Sequence, residues 1–211
     1  MHIAILGAGN VGGALGKGWA LKGHAIAYGV PDPSDAKHRA VAEAAGKARV
    51  GEAVRGADAV VLAVPFDAVD QALAAAGDLS GRLVIDVTNP LRMGGSGLEL
   101  SIGFDRSAGE HVAALAPGAF VFKTLNQAGF AVMADATGYA AKPVMFVAGD
   151  DDSRKPEVLA LVADLGFQPV DAGGLKIARL LEPFGMLWIH MALERKAGLD
   201  NAFAYLARGK S

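Results

Sequence analysis

The sequence predicts an α/β fold, built on a doubly wound and mostly parallel sheet with a small C-terminal α/β extension. Short apolar runs rich in β-branched residues alternate along the chain with segments of helical periodicity, which favours parallel strands joined by right-handed crossovers. A glycine-rich turn directly follows the first apolar run. Strand and helix signals continue in the last third of the chain, so we expect a main domain over 1–124 and an extension over 125–211.

The N-terminal segment carries the most specific local pattern. The run 3–6 predicts a strand, Gly7, Gly9 and Gly12 follow as G-x-G-x-x-G, and 11–21 predicts a helix. This is the Rossmann arrangement that binds a dinucleotide pyrophosphate: Gly7 permits the turn, Gly9 leaves room for phosphate, and Gly12 lets the helix approach the strand. The alternative is a structural glycine turn without a ligand. The residues predicted to bind the cofactor here are Gly7, Ala8, Gly9, Asn10, Val11 and Gly12.

The remaining elements follow from the same periodicities. Strands are predicted at 25–28, 48–50, 57–64, 83–87, 120–123, 143–148 and 167–170. Helices are predicted at 34–45, 52–55, 68–76, 107–115, 154–165, 175–196 and 201–207. The Gly- and Ser-rich stretch 91–104 predicts a loop, and 126–133 a helical or irregular turn. Asp67 is the expected N-cap of the helix that begins at 68, and Pro183 is expected to kink or begin the main part of the last long helix.

Composition excludes several classes of function. The 211 residues include no cysteine, which rules out disulfides and thiolate chemistry. The formal net charge is −2, so there is no basic excess to suggest nucleic acid or an anionic membrane. The apolar run 186–193 is too short to span a bilayer. A cytoplasmic protein that acts on a small molecule is the expectation.

The end of the second strand bears on the choice between NAD and NADP. An acidic residue there binds ribose hydroxyls in many NAD enzymes, whereas a nearby arginine accommodates the 2′-phosphate of NADP. This chain has Val30 and Pro31 at that point, with Asp32 next and Lys37, His38 and Arg39 on the following segment. The basic triplet either reaches a 2′-phosphate or forms a solvated helix face, and the sequence leaves both readings open.

Three strand ends carry residues suited to the nicotinamide half of a cofactor, because ligands bind at the carboxyl ends of parallel strands. The ends are 64–66, 88–90 and 124–126. Apolar strand-end residues are suited to packing on a flat ring, and the two asparagines offer amide donors and acceptors; ordinary turn chemistry is the alternative. The further predicted cofactor-binding residues are Val30, Ala63, Val64, Pro65, Phe66 and Asn89. The predicted substrate-facing residues are Pro90, Leu125 and Asn126.

No side chain is predicted to be catalytic, and no metal site is predicted. The five histidines are scattered without metal-ligand spacing, and His190 is expected to be a satisfied core residue. Glu182 lies in an apolar segment and needs a buried partner, for which Arg179 is the nearest candidate. The run Asp150 to Asp152 favours a solvated turn that caps the next helix over a cation site.

Several motifs together resemble a known family. They are GAGNVG at the N-terminus, VVLAVPFDA at 60–68, DVTNPL at 86–91, KTLNQAG at 123–129, VDAGGL at 170–175 and LLEPFGMLW at 180–188. The chain resembles the NADP oxidoreductases that depend on the deazaflavin coenzyme F420, with their bacterial relatives, and more distantly the oxidoreductase domain of the six-transmembrane metalloreductases.

The resemblance implies direct hydride transfer between NADP(H) and a deazaflavin or flavin ring. NAD is the alternative nucleotide. It also implies that the C-terminal part covers the nicotinamide end. The family commonly has Ser or Asn followed by Arg where this chain has Val30 and Pro31. Two other functions stay open, namely an imine or carbonyl reductase of the pyrroline-carboxylate reductase type and a non-catalytic dinucleotide-binding protein. A homodimer joined through the apolar helix 180–193 is expected.

Overall fold

The computed structural model describes residues 1–35, 46–95 and 97–208. The strands are β1 His2–Leu6, β2 Ala25–Val30, β3 Gly46–Arg49, β4 Ala59–Leu62, β5 Leu83–Asp86, β6 Leu91–Gly94, β7 Gly97–Leu100, β8 Phe120–Lys123, β9 Val144–Gly149 and β10 Gln168–Gly173. The helices are α1 Asn10–Ala20, α2 Val50–Ala53, α3 Val69–Ala76, α4 Ala108–Leu115, α5 Phe130–Ala134, α6 Lys155–Asp164 and α7 Ala178–Ile189. Short 3₁₀ turns lie at Phe66–Ala68 and Leu175–Ile177, and a π-helical turn, His190–Glu194, continues α7.

Eight of these strands form one sheet, in the order β10-β9-β8-β5-β4-β1-β2-β3. The six from β8 to β3 are mutually parallel, which is the Rossmann order with its reversal between β1 and β4. Strand β9 pairs antiparallel with β8, and β10 is parallel to β9. The predicted fold class, a mostly parallel doubly wound sheet, is confirmed. The last two strands extend the same sheet.

Two helical layers bury the two faces of this sheet. Helices α1, α5 and α6 pack on one face, where Trp19 is fully buried and its indole N–H donates to the Leu161 carbonyl at 2.8 Å. Helices α2, α3 and α4 pack on the other face. Strands β1, β4 and β5 are apolar almost throughout because both of their faces are covered. Their carboxyl ends therefore meet at one edge of a rigid core.

The stretch 91–104 was predicted as a loop, and that prediction is wrong for most of it. Strands β6 and β7 form an antiparallel hairpin, with Arg92 opposite Glu99 and an ion pair of 2.8 Å between their side chains. Gly97 has a φ of 122°, a backbone conformation that glycine tolerates and other residues rarely adopt. The glycines belong to the hairpin turn rather than to an extended loop.

Other local predictions need correction. Strand β2 continues two residues beyond the predicted end and includes Val30. No side chain caps α3, so Asp67 is not its N-cap and lies instead in the preceding 3₁₀ turn. Helix α7 passes through Pro183 and neither begins nor stops there. The predicted helix 34–45 falls almost entirely outside the described residues.

The predicted terminal helix 201–207 is absent from the structure. This segment lies along the C-terminal part of the fold, where the carbonyl of Phe203 accepts from the Val144 N–H at 2.9 Å and that of Asn201 accepts from the Trp188 indole at 2.8 Å. Tertiary contacts therefore outweigh its helical periodicity. Within the residues that the structure describes, none of the helices combines the length and apolarity needed to cross a membrane.

Candidate functional site

The glycine turn after β1 leaves an open space in front of helix α1. Gly7 has a φ of 106°, and a Cβ there would collide with the Ala63 carbonyl at the end of β4. A Cβ at Gly12 would collide with the Gly7 carbonyl and approach the Ile5 side chain to 3.2 Å. A Cβ at Gly9 would have no heavy atom within 4 Å, so the space there is free for a ligand.

The start of α1 offers unpaired backbone donors to that space. Gly9 is the N-cap residue and no side chain caps the helix. The first turn contains no acidic residue, and the first intrahelical bond in it joins the Gly13 N–H to the Gly9 carbonyl at 2.8 Å. The N–H groups at the start of the helix, before Gly13, therefore lack intrahelical partners and lie at the positive end of an eleven-residue helix. This geometry fits a pyrophosphate.

Two cavities meet at the glycine turn. The first, of about 460 Å³, is largely apolar and lies between β1, β2, β4 and α3. It is lined by Leu6, Gly7, Ala8, Gly9, Gly29, Val30, Pro31, Val50, Ala63, Val64, Pro65, Ala68, Gln71, Ala72 and Ala75. The second, of about 370 Å³, lies beyond the ends of β4 and β5. It is lined by Gly9, Asn10, Val11, Ala63, Val64, Pro65, Phe66, Val87, Thr88, Asn89, Leu91 and Phe130.

Nearly all of the predicted cofactor-binding residues line these two cavities. Gly9, Ala63, Val64 and Pro65 line both, which makes the glycine turn and the end of β4 the junction between them. Gly12 lines neither, because it packs against Gly7. The apolar cavity suits a purine and its ribose, while the second cavity suits a nicotinamide and a second ring.

The predicted substrate-facing residues lie behind the rim of the second cavity. Pro90 is buried, and its carbonyl accepts from the Ser101 N–H at 2.7 Å. Leu125 is fully buried with a φ of 57°. Asn126 is 3% exposed, and its amide donates to Asn89 Oδ1 at 3.1 Å and to the Leu181 carbonyl at 3.0 Å. The structure thus places these three in the wall that supports the cavity.

Asn89 and Asn126 form a reciprocal pair, which fixes the polar side of the rim. The Asn89 amide donates to the Asn126 carbonyl at 2.9 Å, and Asn126 donates back to Asn89 Oδ1. Helix α7 reaches this pair through Gly185, where a Cβ would lie 2.6 Å from the Asn126 carbonyl and 2.8 Å from Asn89 Oδ1. The close approach of α7 therefore depends on a residue without a side chain.

A buried ion cluster that the sequence analysis missed lies beneath the rim. Lys123 Nζ lies 2.9 Å from Asp86 Oδ2 and 3.2 Å from Glu182 Oε1, and it donates to the Thr88 carbonyl at 2.6 Å. Each of the three charged side chains is at most 1% exposed. The cluster joins the ends of β5 and β8 to α7, and so supports the strand end that carries Asn89.

Glu182 also binds the first turn of helix α4, where the Ala108 and Gly109 N–H groups donate to its two carboxylate oxygens at 2.9 and 3.1 Å. Burial raises the pKa of Glu182 above its ordinary value, while the Lys123 ammonium and these two N–H groups oppose that rise. Lysine and carboxylate in apolar strands could have signalled such a cluster, since buried charges require partners.

The prediction that Arg179 pairs with Glu182 is wrong. The Arg179 guanidinium forms a two-pronged pair with Glu110 on α4, with distances of 2.8 and 2.7 Å. This pairing and the Ser107 hydroxyl hold the pKa of Glu110 below its ordinary value. Helix α7 is thus held to α4 by two separate carboxylates.

His190 is not a core residue, contrary to expectation, because its side chain is 43% exposed and contacts Glu194 at 2.8 Å. Asp151 accepts from the Arg154 N–H at 2.8 Å near the start of α6, whereas Asp150 accepts from the Leu175 N–H. Within 1–35, 46–95 and 97–208, the side chains form no group of three or more that could hold a metal ion. Lys37, His38 and Arg39 lie outside the described residues.

Known proteins with similar sequences and structures identify the family of this chain. Residues 2–90 match the model of the family described as "NADP oxidoreductase coenzyme F420-dependent". An F420-dependent NADP reductase from Methanothermobacter marburgensis is 28% identical, and the match covers 94% of this chain and 97% of that protein. A crystal structure from Arthrobacter sp. FB24, of a candidate F420-dependent NADP reductase, has a TM-score of 0.90 and 31% identity over 99% of this chain and all of that one.

More distant structures share the fold. An imine reductase from Aspergillus terreus has a TM-score of 0.67 at 19% identity, and the match covers 93% of this chain but 62% of the other. At this identity the likeness concerns the fold alone. The full-length similarity to the Arthrobacter protein, together with the family match over the glycine turn and the ends of β4 and β5, shows that the chain belongs to the coenzyme F420-dependent NADP oxidoreductase family of NAD(P)-dependent oxidoreductases.

Proposed function

We propose that this protein transfers a hydride between NADP(H) and a deazaflavin ring, coenzyme F420 in the first place, with a flavin or NAD(H) as the alternatives. The observation that carries the proposal is the junction of two cavities at Gly9, on the carboxyl edge of a parallel sheet. One cavity is largely apolar, and the other lies beyond the ends of β4 and β5. The full-length similarity to the reductase from Methanothermobacter marburgensis supports the same assignment.

The dinucleotide would lie across the glycine turn. Its adenosine fits the apolar cavity between Val30 and Ala72, and its pyrophosphate fits the free space at Gly9 and the first N–H groups of α1. The nicotinamide then reaches the second cavity beside Val64, Pro65 and Phe66.

The chemistry at the second cavity calls for positioning rather than proton transfer. A dihydronicotinamide supplies the hydride and an electrophilic deazaflavin ring accepts it, so the protein needs to hold two rings face to face. The polar side chains that line this cavity are Asn10, Thr88 and Asn89, and its apolar side chains exclude water from the rings. Amides of this kind orient a carboxamide but do not titrate near neutral pH.

The C-terminal extension 125–211 has a structural part in this proposal. Phe130 lines the second cavity, and Gly185 of α7 packs directly against Asn89 and Asn126. We propose that the extension covers the nicotinamide end, and that Pro90, Leu125 and Asn126 act from behind the wall by fixing Asn89 and the shape of the acceptor space. The ion cluster around Lys123 serves the same purpose.

Titration with NADPH and NADH, followed by a hydride-transfer assay with coenzyme F420, FMN and FAD, tests the proposal. We expect NADPH binding and reduction of the deazaflavin. Gly9→Leu places a side chain in the pyrophosphate space and is expected to abolish binding. Gly103→Leu is the matched control, since a Cβ at Gly103 also has no heavy atom within 4 Å but lines neither cavity.

Four outcomes would contradict parts of the proposal. Absence of binding by both nucleotides would remove it. Binding without transfer to any of the three rings would favour the non-catalytic dinucleotide-binding protein. Reduction of a cyclic imine in place of the deazaflavin would favour the reductase alternative. Retained binding by Gly9→Leu would place the pyrophosphate elsewhere.

We also propose a homodimer that uses the exposed face of α7 and the turn after it. Leu180, Leu187, Met191 and Leu193 are between 39% and 66% exposed. The first three recur at intervals of seven and four residues, so they share one side of the helix. Trp188, in contrast, is 5% exposed and packs within the chain, so a substitution there would test folding rather than assembly.

Gel filtration separates these possibilities. Leu187→Glu is expected to convert a dimer to a monomer, whereas Leu21→Glu, at a position that is 79% exposed just after α1, is expected to leave the dimer intact. A wild-type monomer, or a dimer that survives Leu187→Glu, would contradict the proposed interface.

A further inference from the structure

The end of strand β2 provides no side chain for a 2′-phosphate. Val30 is fully buried and apolar, and Pro31 has neither a polar side chain nor an N–H. Asp32 carries a negative charge, and its Oδ1 accepts from the Ser34 N–H at 2.9 Å and from the Ser34 hydroxyl at 2.7 Å. An acidic residue would repel a phosphate rather than bind it.

Strand β3 brings an arginine to the same place. Arg49, the last residue of β3, is the register partner of Val30 at the end of β2. Its Nη1 donates to the Pro31 carbonyl at 3.3 Å. The Arg49 guanidinium therefore lies beside the backbone at the end of β2, where Rossmann proteins bind the adenosine ribose. Arg49 itself belongs to the neighbouring strand, β3.

A separate cavity adjoins this arginine. It has a volume of about 460 Å³, and its charged lining residues are Arg49, Glu52 and Arg55. It shares Val30, Pro31, Val50 and Ala75 with the apolar cavity assigned above to adenosine. A substituent on the adenosine ribose can therefore enter it from the first cavity.

The lining of this cavity beside Arg49 carries a net positive charge. It contains two guanidiniums and one carboxylate, and Glu52 Oε2 accepts from the backbone N–H of Arg49 at 3.3 Å. Asp32 lies outside the lining, but its carboxylate interacts electrostatically with Arg49. An arginine fork matches the geometry of phosphate oxygens better than an ammonium does. The cavity thus has the charge, the position and the donor type required by a ribose 2′-phosphate.

We propose that Arg49 and Arg55 bind the 2′-phosphate of NADP(H) from the β3–α2 junction, so that this chain prefers NADP(H) although Val30 and Pro31 replace the polar pair that is common after β2. This inference rests on the proposed function, since it assumes that a dinucleotide occupies the crevice. It goes further by naming the residues that choose the nucleotide.

Binding of adenosine 2′,5′-bisphosphate and of 5′-AMP, measured by calorimetry, tests the inference without any need for activity. The wild type is expected to bind the bisphosphate at least tenfold more tightly. Arg49→Gln is expected to remove most of that ratio while 5′-AMP affinity stays within about twofold, and Arg55→Gln to remove a smaller part. Arg49→Lys retains the positive charge and is expected to restore part of the ratio.

Two control variants complete the experiment. Arg92→Gln changes an exposed arginine on the β6–β7 hairpin and is expected to leave the ratio unchanged. Lys37→Gln combined with Arg39→Gln tests the basic triplet that follows β2. Collapse of the ratio in this double variant, together with an unchanged ratio in Arg49→Gln, would overturn the inference.

Equal affinity of the wild type for the two ligands would also overturn the inference, while leaving dinucleotide binding and hydride transfer intact. Absence of binding by both ligands, and by NADPH and NADH, would instead signal failure of the proposed function. The two failures are therefore distinguishable.

Discussion

The buried cluster of Lys123, Asp86 and Glu182 makes a sharp prediction about stability. Lys123→Met removes the ammonium but keeps an apolar stem of similar size in the core. Two carboxylates, at most 1% exposed, then remain without their cation. Breaking a buried ion pair by removing one partner typically costs about 3–5 kcal/mol, which is a large part of a typical folding free energy of about 5–15 kcal/mol.

The magnitude follows from what remains around each carboxylate. Glu182 keeps the two N–H donors of Ala108 and Gly109, and Asp86 keeps the bond from the Thr88 N–H at 2.9 Å. These bonds limit the loss but do not neutralise two charges. We therefore expect a decrease in the free energy of unfolding of about 3–5 kcal/mol, or a lower melting temperature by on the order of 10 °C for a chain of this size.

The assay is urea and thermal unfolding at about pH 7.5 and about pH 5. Burial already raises the pKa of Glu182, and loss of Lys123 raises it further. A carboxyl whose folded pKa exceeds its unfolded pKa costs stability as pH rises through the folded value. The deficit of Lys123→Met relative to wild type is therefore expected to shrink at the lower pH.

Lys155→Met is the matched control. Lys155 is also largely buried and also contacts two carboxylates, but the side chains of Asp152 and Asp171 are 92% and 49% exposed. Water can solvate these partners when the lysine is lost, so we expect a cost of about 1 kcal/mol or less. Equal losses in the two variants, or a deficit for Lys123→Met that does not change with pH, would show that the burial of the two carboxylates does not set the cost of losing Lys123.

Two further predictions concern how α7 meets the rest of the site. Gly185→Ala gains up to about 1 kcal/mol in helix propensity but forces a Cβ against the amide pair of Asn89 and Asn126. We therefore expect the free energy of unfolding to fall by about 1–2 kcal/mol and the KM for the acceptor to rise. An unchanged KM would contradict this prediction. We expect carboxyl NMR to give a pKa for Glu110 that is below its ordinary value and that rises in Arg179→Gln. The stability that this ion pair contributes is present above the unfolded pKa of Glu110 and is lost as the pH falls through the folded pKa. An equal pKa of Glu110 in both proteins would be the contrary result.

The parts of the fold that were predictable are those in which burial and periodicity agree. Strands β1 and β8 fall within a residue of their predicted bounds, because a run of buried apolar residues between turn signals has few other readings. The hairpin β6–β7 was missed because its three glycines and one serine resemble a loop, while its pairing depends on cross-strand contacts such as that of Arg92 with Glu99.

The candidate site shows the same division. The glycine turn and the end of β4, both predicted to bind the cofactor, line the same two cavities, because the strand ends of a parallel sheet meet at one edge. The partners of Glu182 were not predictable from sequence proximity, because Lys123 and the N-terminus of α4 lie more than fifty residues away along the chain. Long-range charge pairing requires the packing of α7 on the sheet.

The nucleotide-reading residues illustrate a second limit. The basic residues that follow β2 along the chain are Lys37, His38 and Arg39, whereas the sheet register places Arg49 opposite Val30. A residue on a neighbouring strand is close in space but distant in sequence. The pairing of β2 with β3 brings Arg49 to the end of β2, where we propose that the ribose lies.

Direct hydride transfer between the two rings is tested by following deuterium from NADPH that is labelled at the C4 position of the nicotinamide, from which the hydride leaves. If the crevice holds the two rings face to face, the deuterium is expected in the reduced deazaflavin, in ordinary water and with the wild-type protein. A reduced deazaflavin that contains only solvent hydrogen at the accepting carbon would contradict direct transfer, and so would a failure of reduction despite tight NADPH binding.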